Sequence, residues 1–82
     1  MPTEHLDHAP AALLRYLYDG RRSGVEVSRL LEMGMVTLHE LSELVIELEL
    51  KSLVRATWLS GPPDVQITDR GIAWVQFHYG EV

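Results

Sequence analysis

The spacing of apolar residues divides the chain into stretches of helical period and two short stretches of strand character. Leu13, Leu14 and Leu17 recur at helical spacing between Pro10, tolerated in a first helical turn, and Gly20. This predicts a first helix over residues 9–19, with Arg15 on its outer side. A turn-forming segment, Asp19-Gly20-Arg21-Arg22-Ser23-Gly24, then leads into Val25-Glu26-Val27, which alternates like a very short strand. Ser28 is placed to cap a short second helix over residues 29–33, which Gly34 ends in the left-handed conformation.

Thr37-Leu38-His39-Glu40 has the form of a capping box, in which each of Thr37 and Glu40 accepts a backbone N–H from the other. Leu41, Leu44, Val45 and Leu48 follow at i, i+3, i+4 and i+7, so a third helix runs to about residue 52 with those four facing the core. Residues 53–59 and 65–67 read as two strands joined by the turn Ser60-Gly61-Pro62-Pro63-Asp64. Thr68 can cap a last helix over residues 69–79. There Ile72, Val75, Gln76 and Tyr79 share one face and Trp74 and Phe77 another. The expectation is a mainly α protein with a small β-hairpin.

Length and composition narrow the function classes. Eighty-two residues suffice for one core, and a chain of this size buries only about 60% of its unfolded surface. Residues 1–8 read as a flexible leader and residues 9–82 as a single domain. Cysteine is absent, which excludes disulfide and thiolate chemistry and fits a reducing compartment. The polar, acidic first residues lack the signal-peptide pattern, and no apolar run approaches the ~18 residues of a membrane span. A soluble, cytoplasmic protein is expected. Seven Lys and Arg against twelve Asp and Glu give a formal charge of −5, the wrong sign for affinity built on neutralising phosphates.

Three segments carry a family likeness. Val25-Glu26-Val27-Ser28-Arg29-Leu30-Leu31 looks like a strand and second helix, and Leu48-Glu49-Leu50-Lys51-Ser52-Leu53-Val54-Arg55 looks like a recognition helix running into a wing. Ile67-Thr68-Asp69-Arg70-Gly71 looks like a closing threonine and glycine motif. In this order they resemble the winged helix-turn-helix domain of bacterial and archaeal transcription regulators of the multiple-antibiotic-resistance type. The likeness spans roughly residues 11 to 79, and Ser52 stands where that family usually has glycine.

The resemblance implies a homodimeric DNA-binding module. Exposed residues early in the third helix would enter the major groove, and the second helix and hairpin would touch phosphates. The matching positions are Thr37, His39, Glu40, Ser42, Glu43 and Glu47 on the third helix and Ser28 and Arg29 on the second. Arg55 and Arg70 match the base of the wing. Glu40, Glu43 and Glu47, however, form a negative stripe where such regulators carry Arg or Lys, and the wing turn has no basic residue. Arg21, Arg22, Arg29, Arg55 and Arg70 could rim a phosphate track, or be solvated charges and partners of Glu26, Glu32 and Asp69.

Dimerisation through terminal helices would use Tyr16, Trp74, Phe77 and Tyr79, with Leu13 and Tyr18 nearby. The alternative is that Trp74 or Trp58 closes a small core. Ile46 and Leu50 make a second apolar patch. No nucleophile, base and acid set and no Gly-rich phosphate loop can be picked out, so no enzyme activity and no cofactor are expected. His5 and His8, flanked by Glu4 and Asp7, fit adventitious metal binding better than a designed site. Two functions therefore stand beside each other. One is a DNA-binding transcription-regulator-like module. The other is a protein-interaction winged helix whose acidic third helix binds a basic partner or mimics nucleic acid.

Overall fold

The computed structural model describes residues 5–20, 27–58 and 60–80. The elements follow the order α1 (His8–Gly20), α2 (Ser28–Glu32), α3 (Leu38–Leu50), β1 (Val54–Thr57), β2 (Asp64–Ile67) and α4 (Asp69–Tyr79). The fold is thus mainly helical with one two-stranded antiparallel hairpin, paired Val54 to Ile67, Arg55 to Gln66, Ala56 to Val65 and Thr57 to Asp64.

The apolar rows converge on one core. Leu13, Leu14, Leu17 and Tyr18 of α1 pack with Leu41, Val45 and Leu48 of α3, Leu53 and Val54 at the start of the hairpin, and Trp74 and Val75 of α4. Leu44, expected inside, is half-buried at its edge, and Arg15, expected outside, is half-buried too. On α4 the buried row is Gly71, Trp74 and Val75, so the two apolar faces read from the sequence do not divide as expected. Trp74 closes the core at 3% exposure. It is therefore withdrawn from the proposed dimer surface, as are Leu13 and Tyr18.

Helix ends show local chemistry deciding boundaries. α2 closes in a Schellman motif: the Met35 N–H donates to the Leu30 carbonyl at 3.0 Å and the Gly34 N–H to the Leu31 carbonyl at 3.1 Å, with Gly34 at φ 71°. α3 ends the same way. Leu53 N–H reaches the Leu48 carbonyl at 3.0 Å and Ser52 N–H the Glu49 carbonyl at 3.0 Å, which puts Ser52 at φ 62°. The fully buried Leu53 and Leu48 supply the apolar contact that accompanies the motif. α3 therefore stops at Leu50, with residues 51 and 52 forming its turn rather than its last helical residues.

α2 begins one residue earlier than a capping serine would place it. Ser28 is the first helical residue, not the cap; the cap position is Val27, whose backbone is itself helical at φ −64°, ψ −24°. A capping residue must itself have an extended backbone, whereas Ser28 is already inside the helix and the buried Val27 occupies the cap position with no side-chain oxygen to accept a bond. Residues 25 and 26 of the expected short strand lie outside the described residues, as do Arg21, Arg22 and Leu59.

The junction between hairpin and α4 explains the threonine and glycine of the closing motif. Thr68 is extended, and its hydroxyl accepts the Gly71 N–H at 3.1 Å, as a capping residue should. Gly71 packs so closely on the chain that an added Cβ would collide with the Leu53 carbonyl oxygen and lie 2.7 Å from Ile67 Cγ1. A hydrogen at that position is what lets α4 seat on the hairpin.

Candidate functional site

The third helix is fixed in rotation and at both ends, which determines what it shows to solvent. The capping box forms as expected, with Thr37 N–H donating to Glu40 Oε1 at 3.0 Å and Glu40 N–H to Thr37 Oγ1 at 3.1 Å. Leu41, Val45 and Leu48 are completely buried. His39, Glu40, Glu43, Ile46 and Leu50 are consequently exposed, and Ser42, Glu47 and Glu49 half-buried.

The acidic residues are individually engaged. Glu40 accepts from the Thr37 backbone N–H, which holds its carboxyl below the ordinary glutamate range, helped by the Thr37 hydroxyl and by His39. His39 Nε2 lies 3.1 Å from Glu43 Oε1, one turn on. Lys51 Nζ lies 3.6 Å from Glu47 Oε2, a pair at i, i+4 that the sequence reading left out. The Trp58 indole N–H points to Glu49 Oε1 at 3.4 Å, so the residue following β1 lies against the side of α3. Between Leu38 and Leu50 there are four glutamates and no Lys or Arg.

The basic residues assigned to a phosphate track are spread over three elements: Arg29 on α2, Arg55 on β1 and Arg70 in the first turn of α4, all exposed. On the hairpin, Arg55 shares its outward face with exposed Thr57, Gln66 and Asp64, so the local charge is mixed. The hairpin turn, through Gly61, Pro62 and Pro63, adds no cation. What the structure brings together along α3 is acidic and apolar.

A second surface lies at the end of α4. Phe77 is 56% and Tyr79 44% exposed, Tyr16 is half-buried, and the Arg15 guanidinium sits 4.8 Å from the centre of the Tyr79 ring. The His78 ring stacks on Trp74 at 3.9 Å, and its Nδ1 lies 2.9 Å from the Trp74 carbonyl oxygen. This array caps the core and leaves Phe77 on its outside. The aromatic rows were legible in the sequence, but the cation–π contact, built from residues sixty-four apart (79 − 15), was not.

Among the described residues, no three His, Asp or Glu side chains converge on a point that could hold a metal ion, and no helix is long and apolar enough to cross a membrane. His5 lies 3.5 Å from Asp7, with both side chains almost fully exposed. No family model, no curated protein and no solved structure matches the chain.

Proposed function

We propose that the chain is a non-catalytic winged-helix module that engages a protein partner, rather than duplex DNA, through α3. The order of three helices, a hairpin and a closing helix, with the third helix capped and its outer face bare, supports the winged-helix reading. The observation that carries the choice of partner is the charge of that face. A helix entering a major groove approaches two phosphate rows, and four glutamates without one Lys or Arg would be repelled by both. A protein partner presents no such field. Homodimerisation belongs to the same reading, now through Phe77, Tyr79 and Tyr16, because Trp74 is internal.

Fluorescence anisotropy with a labelled duplex at two salt concentrations tests the reading. A phosphate-binding module weakens steeply with salt. Here no saturable, salt-sensitive binding is expected even at low salt, and tight binding that falls away as salt rises would return the chain to the DNA-binding class.

A further inference from the structure

The outer side of α3 carries an apolar strip that the fold leaves uncovered. At about 100° per residue, Leu50 lies roughly 180° round the helix from the buried Leu41. It is 81% exposed. Ile46, 47% exposed, is one turn back on the same side, about 6 Å away at this spacing. Trp58, 43% exposed, reaches the flank of α3 through its bond to Glu49. Glu43 and Glu47 run along the other flank of the strip, again one turn apart. Leucine, isoleucine and tryptophan side chains in water are thus bordered by carboxylates on both sides, with Lys51 against Glu47 and the His39 ring against Glu43.

We propose that this strip docks an amphipathic helix of a partner protein, one that carries apolar anchors in a row with Lys or Arg beside them. The proposal rests on the reading of α3 as a protein-binding surface and names the chemistry of its occupant. Charge decides between occupants. A second copy of this chain brings another net charge of −5, and pairing α3 with α3 about a two-fold axis sets Glu43 and Glu47 near their own counterparts. A neutral apolar helix would cover Leu50 and Ile46 but partly desolvate the carboxylates with nothing beyond their present contacts to His39, Lys51 and Trp58 to compensate, which costs free energy. A basic amphipathic helix satisfies both, its anchors on the strip and its cations on the flanking glutamates. The strip is short, so the complex belongs with weak, transient interfaces, with a Kd on the order of 10–100 µM.

The experiment titrates the full chain, followed by amide chemical shifts and Trp fluorescence, with synthetic peptides of about 20 residues, long enough to form several helical turns. One peptide has Leu at i, i+3, i+4 and i+7 with Lys and Arg beside them. A second keeps the Leu pattern with Gln for every base, and a third keeps the composition of the first but scrambles the order. The expected result is that the first binds at least about tenfold more tightly than the others, with shifts centred on Ile46, Leu50 and Trp58. Leu50→Gln and the pair Glu43→Gln with Glu47→Gln should each weaken it by about tenfold, while Met35→Gln, on another exposed patch, leaves it unchanged. Because these side chains are exposed or, for Glu47, half-buried, substitution should leave the fold intact, and an unchanged circular dichroism spectrum checks that the variants fold. Equal binding of the neutral peptide overturns the inference and leaves the protein-binding reading standing. Binding of duplex DNA in the same assay overturns both. No shifts on α3 with about 1 mM of the first peptide, or affinity unchanged by Leu50→Gln, overturns the inference.

Discussion

The Thr68 hydroxyl lies 2.7 Å from the Ser52 carbonyl oxygen and donates to it, while the Thr68 backbone N–H donates to the Leu53 carbonyl at 3.1 Å. One residue thereby ties the end of α3 to the start of α4 across the base of the hairpin, and the same hydroxyl caps α4 through Gly71. Thr68→Val removes the cap and the hydroxyl bond to Ser52 while keeping the backbone bond to Leu53, and should cost about 1–2 kcal/mol in urea unfolding. Thr68→Ser keeps the hydroxyl and should lose less than half as much.

Ser52 should be a site where substitution stabilises. Its positive φ is one that side chains with a Cβ adopt at a cost of about 1–2 kcal/mol, against an extra entropy of about 0.5–1 kcal/mol for glycine in the unfolded chain. Its carbonyl, the part that Thr68 uses, is backbone. Ser52→Gly is therefore expected to raise stability by about 0.5–1 kcal/mol and Tm by a few degrees, whereas Ser52→Val lowers both.

Glu40 makes stability depend on pH in a predictable direction. Its folded pKa lies below the ordinary 4.5, because the backbone N–H of Thr37 favours the carboxylate. The contribution is present above that ordinary value and fades as the pH falls through the lower folded value. In unfolding measured across this range, the advantage of the wild type over Glu40→Gln should shrink steadily as acid is added. A difference that stays constant with pH would mean that the carboxylate charge is irrelevant to the cap.

Trp74 and Phe77, three residues apart on one helix, should separate completely on substitution. Trp74→Ala empties the core and should cost about 3–5 kcal/mol, a large part of the stability of a domain this small. Phe77→Ala should stay within about 0.5 kcal/mol for the monomer. If Phe77 lies in a homodimer interface, sedimentation of its alanine variant shifts to the monomer while the unfolding of the subunit itself is unchanged; a wild type that is already monomeric would remove the dimer from the proposal.

Much of the element order was legible in the chain because the forces that set it are local. Thr37 and Glu40 lie within a single turn of each other, and Thr68 and Gly71 likewise, so capping could be read from spacing. The core row Leu41, Val45 and Leu48 followed from helical period alone. Ser28 misled because a serine caps only when its own backbone is extended, and in the fold the helical turn already begins at Val27, so Ser28 lies inside the helix. In the candidate site, the glutamates of α3 could be read as a stripe, but Trp58 beside Glu49 could not, since hairpin and helix meet only on folding.

The sequence by itself determined where α3 and α4 begin, which face of α3 is apolar and which acidic, and that the chain carries excess negative charge, because periodicity, capping and charge are properties of neighbours along the chain. Only the tertiary structure decided that Trp74 is core while Phe77 is surface. The two belong to the same helix and are equally apolar, and what distinguishes them is the position of α1 and the hairpin against α4. It likewise decided how closely Gly71 meets Leu53 and that Thr68 reaches Ser52. Those contacts join residues distant in sequence, and their geometry exists only once the elements have packed.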